Sequence, residues 1–200
     1  MNIKLAENFR AVFYAPFYAT HALGLFAEQG VSITLLDSPS PGAGIAELAK
    51  GNIDVMWGGP LRVIKERDQF ERTEGSLVAF CEVAAKDPFF LLRRRQVKST
   101  KLSPQGMPFS LKDLPSLRFA SVSEVPTPWL CLQADLRDLG LNVPEIESSL
   151  KRGLSMPEQI QALKAGTLDV AQLFEPLASE LLSDPAYQLL YAAHTRGPTV

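Results

Sequence analysis

Residues 45–55 read IAELAKGNIDV and residues 160–170 read IQALKAGTLDV, so each half of the chain carries the same short pattern. Both stretches contain Ile-x-x-Leu-x-x-Gly-x-x-Asp-Val. The apolar spacing predicts a helix face, the glycine predicts the helix end, and the apolar residues after it predict a strand. A helix, a glycine stop and a strand in each half indicate two similar α/β lobes, and two lobes enclose a cleft.

Length and composition are those of an ordinary globular protein. The chain has 200 residues, of which 46% are hydrophobic and 21% charged, and its formal net charge is −2. Its mean hydropathy is +0.03. This length suits one large domain or two small ones. The charge gives no reason to expect nucleic acid or an anionic membrane as a partner, and no apolar run is long enough to span a bilayer.

The cysteines, the histidines and the N-terminus narrow the class of protein further. Cys81 and Cys131 lie in apolar stretches and are expected to be buried thiols, with a mixed disulfide as the less favoured alternative. Their spacing matches no zinc site, and His21 and His194 need carboxylate help to hold a metal. Residues 1–17 lack the apolar core of a secretory signal. We therefore expect a periplasmic protein if a signal peptide has been removed, and a cytoplasmic protein otherwise.

Predicted strands alternate with predicted helices along the chain, which favours parallel sheets with crossover helices. Strands are expected at 9–13, 31–36, 53–56, 77–84, 89–92, 118–122, 143–148, 168–174 and 188–193. Further helices are expected at 17–28, 60–68, 128–139, 156–165 and 176–182. The polar segment 96–110 contains two prolines and a glycine, so we expect a mobile loop or an excursion between the lobes there.

Several motifs, in this order and spacing, resemble those of a known group. They are FYAPFYA at 13–19, GLFAEQGV at 24–31, the segment 43–54, LKDL at 111–114 with the strand after it, and AGTLDV at 165–170 with FEP at 174–176. Together they resemble bacterial substrate-binding proteins of the nitrate/sulfonate/taurine and thiamine-pyrimidine-precursor group. The resemblance extends over nearly the whole chain.

This resemblance implies an α/β, type II periplasmic-binding-protein fold with two lobes, mainly parallel sheets and a ligand in the interlobe cleft. It implies a small-molecule ligand and makes an ABC permease a candidate partner. We expect lobe 1 at 1–92, lobe 2 at 93–190 and a return segment toward lobe 1 at 191–200. Members of the group continue well beyond a Gly-Pro segment such as 197–198. The chain is therefore expected either to be truncated or to complete its first lobe differently.

The loops after the strands of the first lobe supply candidate ligand-binding residues, because ligands bind at the carboxyl ends of parallel strands. Tyr14 is the preferred candidate to stack on a flat heterocycle, with Pro16 holding its loop. Phe17 serves either the ligand or the core. His21 faces either the cleft or solvent, and solvent is the favoured alternative.

Glycines mark two further positions in the first lobe. Gly42 allows a ligand to approach backbone N–H groups at a helix start, or belongs to an ordinary surface loop. Trp57 directly follows a predicted strand, and Gly58 permits close backbone approach beside it. We slightly favour a cleft position for Trp57 over core packing.

The second lobe contributes three candidates. Ser123 precedes a predicted helix whose N-terminal N–H groups bind polar groups, and Thr127 either contacts the ligand or caps that helix. Glu175 follows a predicted strand, so its carboxylate either holds an amine or stabilises the start of the next helix. Together Tyr14, Trp57 and Glu175 predict a flat ligand that carries an amine.

The sequence contains no recognisable nucleophile–base pair, phosphate loop or metal cluster, and no cofactor is expected. The first hypothesis is therefore a solute-binding protein that serves an ABC importer and takes a thiamine-pyrimidine-precursor-like ligand. The alternatives are a cytoplasmic enzyme of thiamine-precursor or related small-aromatic metabolism on the same fold, or a cytoplasmic sensor.

Overall fold

The computed structural model describes residues 1–38, 42–69, 77–95 and 109–195. The chain divides into two compact units, Met1–Ala85 and a second unit that begins at Lys86. Residues 86–92, which the sequence analysis groups with the first lobe, fall in the second unit because the strand Phe89–Arg94 pairs with two strands there.

The first unit is built on a short parallel sheet with helices between its strands. In chain order its elements are β1 (Asn2–Ala6), a 3-10 turn (Val12–Tyr14), α1 (Ala15–Ala22), α2 (Leu25–Glu28), β2 (Ser32–Leu36), α3 (Ala43–Ala49), β3 (Val55–Met56) and α4 (Pro60–Gln69). The strand order is β2-β1-β3, and Leu5 in β1 lies opposite both Leu35 and Val55. All three strands therefore end at the same edge of the sheet.

Two strands predicted for this unit are wrong. The first strand lies at Asn2–Ala6 rather than at 9–13. Phe9 and Phe13 instead pack their rings on each other, with centroids 5.9 Å apart, beside the 3-10 turn. Within the described residues, 77–84 form no strand, and Val78 and Phe80 are exposed there. Aromatic and β-branched residues suggested both strands, but their side chains make local or surface contacts instead.

The second unit contains a mixed sheet. Its elements are β4 (Phe89–Arg94), a 3-10 turn (Leu111–Ser116), β5 (Phe119–Ala120), α5 (Thr127–Asp138), α6 (Val143–Ser149), β6 (Leu150–Lys151), α7 (Met156–Lys164), β7 (Val170–Phe174), α8 (Leu177–Leu182), β8 (Tyr187–Ala192) and a last 3-10 turn (Ala193–Thr195). The strand order is β6-β5-β7-β4-β8. β6, β5 and β7 are parallel, whereas β4 is antiparallel to both of its neighbours.

The strand predicted at 143–148 is also wrong, because these residues form α6. Val143 and Ile146 are three residues apart, so they share one helix face and are buried in the core with Phe119 and Leu136. Pro144 stands in the first turn of α6, where a missing N–H costs nothing. Helical packing therefore outweighs the β-propensity of the short apolar run.

The prediction that both cysteine thiols are buried is wrong for Cys81 and only partly right for Cys131. Cys81 is exposed, and Cys131 on α5 is half-buried. Both are free thiols. The loop expected at 96–110 falls almost wholly outside the described residues, as does the Gly-Pro segment at 197–198.

The repeated glycine ends its helix in the same way in both units. Gly51 has a φ of 75° and donates its N–H to the carbonyl of Leu48 over 3.0 Å. Gly166 has a φ of 71° and donates to the carbonyl of Leu163 over 3.2 Å. Both conformations are left-handed and favour glycine, as the repeat predicts.

The repeated aspartate also has one structural role in both units. The carboxylate of Asp54 accepts the backbone N–H of Lys4 over 2.8 Å, next to where β3 pairs with β1. The carboxylate of Asp169 accepts the backbone N–H of Arg118 over 2.9 Å, next to where β7 pairs with β5. Each aspartate thus fixes one strand against its parallel neighbour. The repeat is scaffold.

Candidate functional site

The carboxyl ends of β1, β2 and β3 gather polar and aromatic side chains at one edge of the first unit. Asn8 follows β1 and is almost fully buried. Its Oδ1 accepts the backbone N–H of Gly42 over 2.7 Å, which ties the loop after β1 to the start of α3. Trp57 follows β3, and its backbone N–H donates to the carbonyl of Ala6 over 3.3 Å. These bonds bring the three loops together.

Glu7 is a buried carboxylate whose partners lie in the same unit. It accepts the hydroxyl of Tyr18 over 2.5 Å and lies 3.4 Å from the guanidinium of Arg10. Arg10 also pairs with Asp37 over 3.0 Å. Burial, and then the hydrogen bond to Glu7, raise the pKa of Tyr18 to about 12, so the hydroxyl stays protonated and keeps donating. Glu7 is thus already paired and offers little to a cationic ligand.

The aromatic side chains pack around Trp57, which is 2% exposed. The Phe17 ring stacks on the Trp57 ring with centroids 4.5 Å apart and planes 12° apart. The rings of Tyr14 and Tyr18 lie 5.6 and 5.4 Å from it. The indole Nε1 of Trp57 is buried and donates to no acceptor among the described residues.

Tyr14 is buried within this cluster. Burial raises the pKa of its hydroxyl, while the charge of Arg62 and a hydrogen bond with Asn8 lower it. Pro16 and His21 lie on α1 and are exposed. Of the residues predicted from the first lobe, the structure therefore brings Tyr14, Phe17 and Trp57 into contact.

Arg62, in the first turn of α4, is the main residue that the sequence analysis missed. Its side chain is half-buried, and burial lowers its pKa. In the described part of the chain no carboxylate lies within ion-pairing distance of its guanidinium, and no acceptor is hydrogen-bonded to it. The pattern of residues 60–68 predicts a helix with an ordinary solvent-exposed polar face. Nothing in the sequence therefore distinguishes Arg62 from the other charged residues of that helix.

Two of the glycines predicted to bind ligand, Gly42 and Gly58, lie against the side chain of Arg62. A Cβ on Gly42 would lie 2.2 Å from Nη1 of Arg62, and a Cβ on Gly58 would lie 3.8 Å from its Cδ. Gly42 has a φ of 86°, which also favours glycine. The group that approaches Gly42 is thus the Arg62 guanidinium. The approach of a ligand to the backbone at Gly42 and Gly58 stays a prediction.

A cavity of about 90 Å³ opens beside Arg62. Trp57, Gly58 and Arg62 are among the residues that line it. Its other walls are mostly alkyl side chains of α3, β3 and α4 together with the segment 77–83. All of these residues belong to the first unit. Among the described residues, the site therefore offers a cation and an indole donor without partners, together with mostly apolar walls.

The candidates from the second unit make contacts within that unit. Ser123 donates its hydroxyl to the carbonyl of Leu154 over 3.0 Å. Thr127 is the first residue of α5, and Pro126 stands at the expected capping position. The carboxylate of Glu175 accepts the N–H and the hydroxyl of Ser179 over 3.0 and 2.8 Å, so it stabilises the start of α8. Of the two alternatives for Glu175, the structure shows the one in which its carboxylate stabilises the start of a helix.

Buried amides hold the loop after β5. Gln172 Oε1 accepts the Ser121 hydroxyl over 2.6 Å and the Val122 N–H over 3.2 Å, and its Nε2 donates to the carbonyl of Pro128. Gln159 donates to the carbonyl of Ser121 and accepts the N–H of Gln172. Both amide side chains therefore have partners within the unit, and their hydrogen bonds hold the loop after β5 in place.

Other kinds of site find no support in the described residues. They contain no group of three or more His, Cys, Asp or Glu side chains placed to hold a metal ion. None of the described helices has the length and apolarity required to cross a membrane.

The fold is shared with solute-binding proteins of known structure. The periplasmic aliphatic sulphonate binding protein SsuA from Escherichia coli is 16% identical, with a TM-score of 0.68 over 99% of this chain and 63% of that one. The alkanesulfonate-binding protein SsuA from Xanthomonas axonopodis pv. citri, bound to MOPS, is 19% identical, with a TM-score of 0.61 over 98% and 62%. PhnD1 from Prochlorococcus marinus, in complex with methylphosphonate, is 15% identical, with a TM-score of 0.59 over 95% and 71%.

These likenesses confirm the type II periplasmic-binding-protein fold. The chain spans less than two thirds of the length of either SsuA protein. No curated protein matches its sequence. Residues 9–193 match the sequence model of the NMT1-like family, so the chain belongs to the NMT1-like family.

Proposed function

We propose that this protein binds a small organic anion as the solute-binding component of an ABC importer, in the periplasm. The observation that carries this proposal is the half-buried guanidinium of Arg62, which lines a cavity and has no carboxylate partner among the described residues. Removing a cation from water is costly unless an anion pairs with it. An acidic ligand group supplies that anion.

The chemistry around Arg62 suits an oxyanion. Guanidinium donors match the oxygens of sulfonate, phosphonate or carboxylate in a bidentate geometry. Arg62 lies in the first turn of α4, where the helix dipole adds positive potential. Trp57 also lines the cavity, and its buried indole N–H, which has no acceptor among the described residues, is a second candidate donor.

The relatives of known structure agree with this charge class. Two are named for binding aliphatic sulfonates, and the third holds methylphosphonate. The flat, amine-bearing ligand predicted from Tyr14, Trp57 and Glu175 requires a free carboxylate instead. Glu175 and Glu7 are both already hydrogen-bonded within their own units. Binding of an amine-bearing ligand is therefore the alternative that the experiment must distinguish from binding of an acid.

Calorimetry with propane-1-sulfonate, methylphosphonate and 4-amino-5-hydroxymethyl-2-methylpyrimidine tests the proposal. We expect the two acids to bind, and Arg62→Met to weaken their binding by at least about 30-fold, since the acid group loses the guanidinium that pairs with it. Lys65→Met is the matched control, because Lys65 is an exposed cation on the same helix. Binding of the pyrimidine alone, or equal loss in both variants, would overturn the assignment.

A further inference from the structure

We infer that Asn8 is a specificity-determining residue of the proposed anion site, because its neutral amide leaves the Arg62 guanidinium free to pair with the acid group of a ligand. The inference rests on the proposed function and deepens it, since it names a residue that selects for an anion. Asn8 follows β1 and is only 2% exposed, so its side chain acts within the first unit and hardly on solvent.

Asn8 and Arg62 both lie against Gly42. Oδ1 of Asn8 accepts the backbone N–H of Gly42 over 2.7 Å, and a Cβ on Gly42 would lie 2.2 Å from Nη1 of Arg62. With standard bond lengths, Oδ1 of Asn8 and Nη1 of Arg62 are therefore at most about 8 Å apart. A full charge at position 8 would act on the guanidinium over this distance, because water screens charges only weakly where they are buried.

Tyr14 lies beside the same two side chains. Burial raises the pKa of its hydroxyl, whereas the charge of Arg62 and a hydrogen bond with Asn8 lower it. The net direction is upward, so the phenol stays neutral near pH 7. An amide, a phenol and a glycine backbone thus lie near Arg62 in the described part of the unit, and all three are uncharged.

The carboxylate next to Asn8 in the sequence is occupied elsewhere. Glu7 is also buried, and its carboxylate accepts the hydroxyl of Tyr18 and pairs with Arg10. Among the described residues it makes no ion pair with Arg62. The first unit therefore holds a buried carboxylate that is already paired and, one residue later, an uncharged amide close to the guanidinium.

The hydrogen bond to Gly42 does not by itself require an amide. Aspartate has the same size as asparagine, and its carboxylate also accepts a backbone N–H. An aspartate at position 8 would keep that bond and add a negative charge, which attracts Arg62 and repels an incoming acid. Neutrality is therefore the property by which Asn8 favours an anionic ligand.

Calorimetry with propane-1-sulfonate on Asn8→Asp tests the inference. We expect affinity to fall by about 30-fold or more, because the ligand then competes with an internal carboxylate for Arg62. Asn2→Asp is the matched control, since it makes the same change of charge at the exposed start of β1 and should bind like the unmodified protein. Asn8→Ser stays neutral and should lose about fivefold or less, the effect of one hydrogen bond.

A second measurement needs no ligand. If the introduced carboxylate interacts with Arg62, Asn8→Asp should be less destabilising in the unmodified background than in the Arg62→Met background. Chemical denaturation of the unmodified protein, the two single variants and the double variant measures this coupling.

The failures of the two proposals are distinguishable. Arg62-dependent sulfonate binding that Asn8→Asp leaves unchanged would overturn this inference while the proposed function stands. Equal losses in Asn8→Asp and Asn8→Ser, or no coupling in the denaturation measurements, would overturn it as well. If Asn8→Asp does not fold, Asn8→Ser decides, because a loss of more than about fivefold in that neutral variant contradicts a role based on charge. If no sulfonate binds the unmodified protein, both proposals fail.

Discussion

At the scale of single residues, Gly42 links backbone conformation to the proposed anion site. Gly42→Ala should cost about 1–2 kcal/mol of unfolding free energy, because its φ of 86° is left-handed. It should also weaken sulfonate binding by about tenfold or more, because the new Cβ would displace the Arg62 guanidinium, which then no longer holds the anion. Chemical denaturation and calorimetry measure the two effects separately.

Gly24 supplies the control for this prediction. Its φ is 72°, and a Cβ there meets nothing within 4 Å. Gly24→Ala should therefore lose a similar amount of stability and keep its affinity. Equal loss of affinity in both variants would show that backbone strain, and not the position of Arg62, controls binding.

The two thiols differ in environment and should differ in reactivity. Burial, with the nearby charge and hydrogen bond of Asp87, raises the pKa of Cys131 to about 11. The reactive thiolate of Cys131 is therefore scarce near neutral pH and should grow only as the pH approaches that value. Cys81 is exposed and lines the cavity.

A disulfide reagent at about pH 8 should therefore modify Cys81 first, and a bound sulfonate should slow that reaction. Peptide mapping by mass spectrometry identifies the modified thiol. Faster labelling of Cys131 would contradict the difference in burial between the two thiols. Labelling of Cys81 at the same rate with and without sulfonate would contradict binding of the sulfonate in the cavity that Cys81 lines.

At the scale of elements, the repeated aspartate makes a pH-dependent contribution in one copy. The hydrogen bonds from Arg118 lower the pKa of Asp169 most strongly. A lowered pKa means that this stabilisation is complete above the unfolded value of about 4 and is lost as the pH falls toward the folded value. Arg118 is half-exposed, so solvent screens its ion pair with Asp169 and keeps the contribution small.

Asp169→Asn should therefore lower stability at neutral pH and reduce the loss of stability on acidification. Asp54→Asn is the matched variant, because an amide oxygen still accepts the Lys4 N–H and, within the described part of the chain, no guanidinium is paired with the Asp54 carboxylate. Denaturation midpoints measured across the acid range compare the two. If the denaturation midpoint falls with decreasing pH in the same way in both variants and in the unmodified protein, the role of Arg118 is contradicted.

How far the sequence predicts these elements depends on whether local or tertiary forces decide them. The helix predicted at 156–165 is confirmed as α7, whose start is held by a local interaction, the capping box of Ser155 and Glu158. The strand at 9–13 and the strand at 143–148 fail because ring packing and core burial outweigh β-propensity. Arg62 could not be selected from the sequence, because only the folded structure shows that no carboxylate among the described residues pairs with it.

At the scale of the whole molecule, the two units share a scaffold and differ where the repeat ends. Met56 pairs with Ala6, and Ala171 pairs with Ala120, so Trp57 and Gln172 follow at equivalent positions. Trp57 leaves an indole donor unpaired among the described residues, whereas Gln172 satisfies all of its neighbours. Buried donors without a partner among the described residues occur in the second unit as well, at Arg93 and Trp129. Trp57 differs from these two in that it lines the cavity beside Arg62.

This asymmetry predicts which tryptophan reports on the ligand. The protein has two tryptophans, Trp57 in the first unit and Trp129 in the second. Trp129→Phe should keep the full change in fluorescence on addition of propane-1-sulfonate, because Trp57 lines the cavity. Calorimetry on the same variant confirms that affinity is unchanged. If Trp129→Phe binds the sulfonate normally but loses the fluorescence change, the ligand contacts the second unit, and recognition cannot be assigned to Trp57 and Arg62.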